Sequence, residues 1–479
     1  MNRLLSTLLG LAWLIVGASA ALAQNIDTTP RPTPLTRPQM KELLEEVKHR
    51  TPRIPLPELT ADDRQVLGEQ ADSYESRIRY HYLNGIEVPR PINNITSSTA
   101  AGRAVRSRQQ DPNFTLDNGF KIELFWIVSR VNNCHYCIGH QESKLLGAGR
   151  SEDEIAALDG DWADQPEENQ VAFRFARRFT YEPHLLTDSD IQALQRHYTD
   201  EQILEMVLSM SGNNSINRWK EALAVPQSAD EGGYSRMASY GGNATSDPAL
   251  PRGSYLTPTS PKYASLLSLA VPVNGEVDKA QRLVETTTNR PNFESKQVVL
   301  ENLRNAVTRE TRLPLLSLKA TREALPNSLA FGETMPNWVR LLAHFPTAGA
   351  ARLESILAAE NGGDLSPLLK AQLSWIVARQ DRAWYAAGQA MRRLRDLGIE
   401  QSDVFALDGD WKNFPKRERA LFQLARHLSA SPVVLTSAHV AEAVEHAGPR
   451  DTVQAISYVC SRASFNRLTE SAGLPLEEN

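Results

Sequence analysis

The chain contains itself. "ELFWIVSRVNNCHYCIGHQ", starting at Glu123, returns as "QLSWIVARQDRAWYAAGQA", starting at Gln372, 249 residues later. The same shift carries "ALDGDW" (157–162) onto "ALDGDW" (406–411) and "SINR" (215–218) onto "SFNR" (464–467). It also places Phe173 on Phe422, Pro183 on Pro432 and Thr187 on Thr436. From 123 to 162, 15 of 40 positions are identical without a gap. Upstream, "RIPL" (53–56) matches "RLPL" (312–315) at a shift of 259, so the first helices of the two copies differ by insertions. A chain that repeats its pattern at this density folds as two copies of one unit.

The unit is helical. Apolar residues recur at intervals of three and four, and Leu, Ala, Glu, Gln and Arg dominate, with few alternating strand patterns. The spacing predicts a helix over 118–131, with Phe120, Leu124, Ile127, Val128 and Val131 on one apolar face. A break at Asn132-Asn133 leads into a second helix over 134–147, with Asn133 as its N-cap and Gly147 and Gly149 as its stop. Ser151 and Glu154 have the spacing of a capping box. Pro166 opens a helix through Arg178, Thr187 caps another, and Asp200 starts a last one through Leu223. The fold class read from this is all-α.

Arg3, the apolar run from Leu4 to Ala21 and the Ala21-Leu22-Ala23 cleavage pattern read as an export signal over 1–23. No cysteine follows that site, so a lipid anchor is not indicated, and no other segment reads as a membrane span. About 455 residues remain, a prior of two or three domains. Residues 24–50, with the Pro- and Thr-rich "TTPRPTPLTRP" at 28–38, read as a flexible lead-in, and 51–225 as the first domain. Residues 226–262, rich in Ser, Gly and Pro, read as a linker or surface excursion, and 263–479 as the second domain. A net charge of −5 without a basic stripe argues against nucleic acid as a partner.

Only one block of the repeat differs in chemistry. Cys134 becomes Ala383, Cys137 becomes Ala386, His135 becomes Trp384, His140 becomes Gln389 and Glu123 becomes Gln372. Trp126, Tyr136, Gly139, Leu145, Asp159, Trp162 and Arg218 recur, as core or capping residues do. The nucleophilic and ionisable groups disappear together while the framework stays. Cys134-x-x-Cys137 at a helix start suits a redox dithiol, because a helix N-terminus and a nearby base stabilise a thiolate. His140, three residues after Cys137, can serve as that base. Zinc needs about four ligands, and Cys134, Cys137 and His140 supply three. A c-type haem needs His directly after the second cysteine, where Ile138 stands. A plain structural disulfide stays open. The third cysteine, Cys460, reads as a buried apolar residue.

"ELFWIVSRVNNCHYCIGHQESKLLGAG", "FRFARRFTYEPHLLTDSDIQAL" and "SGNNSINRWKEAL" together resemble the carboxymuconolactone decarboxylase / alkylhydroperoxidase D-like superfamily. The resemblance covers most of 51–225, and the second copy is similar to the same domain without its cysteines. It implies two tandem helical domains forming a pseudo-dimer, and homo-oligomers of such chains. In the peroxidase branch it implies attack on peroxide by Cys137, a disulfide formed with Cys134, and reduction by a dithiol donor, with no cofactor or metal. A histidine and a glutamate relay protons in that branch. Gln141 stands at the family's histidine position and Ile122 at its glutamate position, so His140 and Glu123 are their neighbours and His135 is an alternative helper, although an exposed residue by its pattern.

The expected function is therefore an exported thiol-dependent peroxidase or disulfide oxidoreductase in the periplasm or outside the cell. Two rivals remain. One is a binding scaffold with an inert disulfide. The other is a cofactor-free lyase or isomerase that uses His140, Glu123 and Arg130 or Arg218. Both arginines recur in the second copy, as Arg379 and Arg467, which favours structural ion pairs for them.

Overall fold

The computed structural model describes residues 27–83, 111–228 apart from 161, 253–271, 277–278, 283–284, 286–290, 292–326, 329, 331 and 334–477. The signal reading over 1–23 and the middle of the 226–262 stretch lie outside the described residues. The described chain is all-α, with 19 α-helices. Its strands are three two-residue segments, β1 Thr33–Pro34, β2 Val277–Asp278 and β3 Leu283–Val284. They pair antiparallel in the order β1-β3-β2, with Thr33 opposite Val284 and Asp278 opposite Leu283.

Helices α1 (Arg37–Glu46), α2 (Tyr74–Tyr82), α3 (Asn118–Val131), α4 (His135–Gly147), α5 (Glu167–Tyr181) and α6 (Asp200–Leu223) belong to the first half. In the second half, α7 (Lys296–Thr308), α8 (Pro367–Asp381), α9 (Trp384–Asp396), α10 (Lys416–Ser429) and α11 (Ser437–Ser471) follow. The 249-residue shift lays α3, α4 and α5 on α8, α9 and α10. It also accounts for the long α11. That helix bends at Gly448 (φ 79°) before Pro449. Residues before the bend match the short helix Asp188–Gln195, and those after it match α6.

The repeat reaches the backbone. Asn133 (φ 56°) and Arg382 (φ 53°) occupy the left-handed region at equivalent positions, as do Trp162 and Trp411, both at φ 58°. Left-handed backbone costs a non-glycine residue free energy, so its duplication marks a turn the fold requires. Trp162 and Trp411 Nε1 donate to the carbonyls of Leu158 and Leu407, each at 2.8 Å. Asn133 thus ends the turn after α3, and Cys134, not Asn133, is the N-cap of α4. The Ser151–Glu154 capping box forms.

Residues 37–46, read in the sequence within a flexible lead-in, form α1 and bury Arg37, Met40, Lys41 and Leu44. The reason is the second shift. Moving α1 by 259 places it on the start of α7, so it is the first helix of the repeat unit. Arg53 N donates to Leu223 O (3.2 Å), and Arg312 N donates to Ala472 O (2.8 Å). Arg50 pairs with Glu221 (2.6 Å), and Arg309 pairs with Glu470 (2.9 Å). Each pair maps onto the other under shifts of 259 and 249.

The two halves share one hydrophobic cluster, in which α6 packs along α11. Arg218 Nη2 donates to Ser429 O (3.0 Å) and Ala430 O (3.2 Å) of the second half. Arg467 Nη2 donates to Thr180 O (2.9 Å) of the first. Thr180 and Ser429 are equivalent, so the contact is reciprocal, as in an isologous interface. Both arginines also reach Ser431 Oγ, at 2.8 and 3.0 Å. The ion pair expected for Arg218 is thus a set of hydrogen bonds to carbonyls. Its counterpart Arg467 has Asp381 at 3.1 Å, and the first half carries Asn132 at that position. Arg130 does form its ion pair, with Asp159 at 2.9 Å, matched by Arg379 and Asp408 at 2.9 Å. Among the described residues no helix is long and apolar enough to cross a membrane.

Candidate functional site

The Cys134–Cys137 pair lies where α3, α4 and α6 converge. Cys134 N donates to Ser129 O (2.9 Å) across the Asn132-Asn133 turn, and Cys134 O accepts from Ile138 N (2.9 Å) to begin α4. This fixes both sulfurs at the helix start. Cys134 is fully buried and Cys137 is 2 % exposed, and both are free thiols. Burial pushes the Cys134 thiol up, and its hydrogen bond to the Cys137 sulfur adds to the shift. The rise favours the protonated form of the Cys134 thiol beside Cys137.

The expected helpers separate. His140 stays beside the site, stacked on Tyr136 with ring centroids 6.4 Å apart and 20° between planes. His135, read as exposed, is 1 % exposed. Its Nε2 donates to Asn133 Oδ1 (2.9 Å), because the left-handed turn directs Asn133 back over the first turn of α4. Burial lowers His135 to about 4, so the ring is neutral. It lines a cavity of about 240 Å³ with Arg31, Arg50, Arg53 and Ser437. Glu123 pairs with Arg150 at 2.8 Å, and both line a different pocket, of about 320 Å³, with Phe120 and Tyr198. Burial raises the Glu123 carboxyl, against the pull of Arg150. Glu123 thus lines a pocket to which neither thiol contributes.

Two residues that the sequence reading passed over complete the surroundings. Lys220, on α6, places its Nζ 4.1 Å from the centroid of the Tyr136 ring. It also bonds Glu75 of α2. Burial acts to lower Lys220, but Glu75, Tyr136 and the Cys137 sulfur outweigh it and raise it, so the ammonium stays charged. Burial likewise opposes the Glu75 carboxylate, yet Lys220 and Arg79 hold it down at about 2. Trp219 Nε1 donates to the same carboxylate at 2.7 Å. The signal was in the repeat: "RWKEAL" (218–223) returns as "RLTESA" (467–472), so Lys220 becomes Thr469.

Described parts of the 226–262 stretch, read as a linker or surface excursion, pack over α4. Gln227 Nε2 donates to Tyr136 O (2.7 Å), and Tyr255 Oη donates to Gln227 Oε1 (2.7 Å). A Cβ on Gly139 would lie 2.5 Å from Tyr255 Oη, which explains the glycine. In the second half a Cβ on Gly388 would lie 2.3 Å from Leu476, the counterpart of Gln227. Glycine recurs because a returning segment crosses that turn in both halves. The α4 helix is further held by Arg37, which bonds Glu142 and Glu152.

No group of three or more His, Cys, Asp or Glu side chains converges as a metal site among the described residues. Comparison with protein-family models and with curated proteins found no match for the chain.

Proposed function

We propose that the chain is an exported thiol-dependent peroxidase or disulfide oxidoreductase of the alkylhydroperoxidase D-like kind. The observation that carries this reading is the selective loss of one chemistry between two copies of one framework. The second half keeps the turn, the left-handed residue, the glycine and the arginine–aspartate pair, yet has Ala383 and Ala386 in place of both thiols. Packing alone gives no reason for the dithiol, Lys220 and His140 to be confined to one half.

In this reading Cys137, as thiolate, attacks the terminal peroxide oxygen. The O–O bond breaks, Cys137 becomes a sulfenic acid, and the alkoxide leaves with a proton as the alcohol. Cys134, as the thiol beside Cys137, then condenses with the sulfenic acid. An S–S bond forms and water leaves, which prevents over-oxidation. A dithiol donor reduces the disulfide and is itself oxidised. Outside the cytosol that donor must be a dedicated carrier able to reach Cys134. The reciprocal arginine contacts support reading the tandem chain as a built-in pseudo-dimer, and the family resemblance extends this to homo-oligomers of such chains.

The burial of both sulfurs favours a second reading, an inert disulfide in a binding scaffold. One experiment separates them. Peroxide consumption driven by a small dithiol such as dithiothreitol is expected in the wild type and absent in Cys137→Ser. Equal turnover in the two proteins would overturn the peroxidase reading. A disulfide that resists exchange with dithiothreitol would establish the structural one.

A further inference from the structure

We infer that Lys220, anchored by Glu75, is the charged group that serves Cys137 in place of the glutamate of the expected relay. This inference rests on the dithiol reading above and names the residue that completes its site. Three independent observations converge on it. The expected carboxylate is elsewhere, since Glu123 is bound to Arg150 at 2.8 Å. The histidine between the cysteines is buried and neutral against Asn133. Lys220 reaches the thiol-bearing turn from α6, with its Nζ 4.1 Å from the Tyr136 ring centroid.

The anchor is specific. Glu75 accepts from Lys220, from Trp219 Nε1 (2.7 Å) and from Arg79 (3.1 Å), so its carboxylate is fixed from three sides. The lysine side chain is only 11 % exposed, and the surrounding protein weakens screening of its charge. The internal repeat supplies the control. Where the thiols are alanines, the lysine is Thr469, while the next residue, Glu221, remains glutamate as Glu470.

The chemistry balances. The Lys220 ammonium attracts the Cys137 thiolate and the negative charge that develops on the departing peroxide oxygen. As the O–O bond breaks, the alkoxide takes one proton from Lys220 and leaves as the alcohol. Condensation of Cys134 with the sulfenic acid releases water. When the dithiol donor reduces the disulfide, one of its two protons returns to Cys134 and the other to Lys220, leaving Cys137 as thiolate. The sum is peroxide plus dithiol giving alcohol, water and disulfide.

The test compares Lys220→Met, Lys220→Arg and the double variant Lys220→Met/Glu75→Leu on the full chain. The double variant removes both charges, so it leaves no uncompensated buried carboxylate. Two rates are read between pH 5 and 9: single-turnover oxidation of the protein by hydrogen peroxide, and alkylation of Cys137 by iodoacetamide in a Cys134→Ser background. Lys220→Met and the double variant are expected to lose about 100-fold or more in oxidation rate, from the lower end of the range of a positioned proton donor upward. Their alkylation profiles should move to higher pH, and Lys220→Arg should keep the wild-type profile. Wild-type rates and profiles in the folded double variant would overturn the inference. Cys137→Ser discriminates the layers: if it is inactive while the lysine variants are normal, only the lysine assignment fails.

Discussion

At the scale of single residues, His135 gives a pH prediction. Its ring is lowered from 6.5 to about 4 by burial. The unfolded chain therefore binds a proton near pH 6.5 that the folded chain refuses until about 4. The stability tied to this residue is complete above pH 6.5 and is lost as pH falls toward 4. Relative to wild type, His135→Gln is expected to gain about 2–3 kcal/mol on going from pH 7.5 to pH 4.5. Urea denaturation of both proteins at the two pH values reads this difference, and parallel losses would contradict it. The sequence marked His135 as a candidate because its counterpart is Trp384. The structure shows what that exchange means: both positions open the same helix, and a neutral imidazole held by Asn133 replaces an indole.

At the scale of elements, the repeat is held together by arginines that cross between its halves. Arg218 on α6 and Arg467 on α11 are fully buried, and each donates to a carbonyl that closes a helix in the opposite half. Removing one leaves several buried acceptors without a donor. Arg218→Met and Arg467→Met are each expected to cost about 3 kcal/mol in denaturant unfolding. Because both donate to Ser431 Oγ, the double variant should differ from the sum of the singles by at least about 0.5 kcal/mol. Strict additivity would show that the two arginines act independently. The helices themselves were legible: α3, the start of α4 and the bounds of α6 fall within a residue or so of the sequence reading. Helix α1 was missed because the Pro- and Thr-rich opening masks it. Only the shift of 259 at "RIPL", followed upstream, would have exposed it.

At the scale of the whole molecule, one core spans both halves. The buried face of α6, including Met206 and Met210, rests partly against α11, and α2 packs on α11 in turn. The protein is therefore expected to unfold in one transition, with near-ultraviolet circular dichroism and far-ultraviolet signal coincident. Residues 27–271 expressed alone should either associate through the uncovered α6 face or remain unfolded. A stable monomer from that fragment, seen by sedimentation, would show that the halves are separable.

The sequence by itself determined the helical class, the duplication and the confinement of the thiols to one copy, because periodicity and self-similarity are local patterns. It also identified Cys134 and Cys137 as the residues that set the copies apart. Which groups attend those thiols was decided only by the tertiary structure. Lys220 and Glu75 are 145 positions apart and meet because α2 and α6 both pack on α11. Glu123 lies near the cysteines in sequence, yet its direction from α3 carries it to Arg150. A helix rotates by about 100° per residue, so one position of offset sends a side chain to another face. Charge pairing between distant helices then determines where each ionisable group is held.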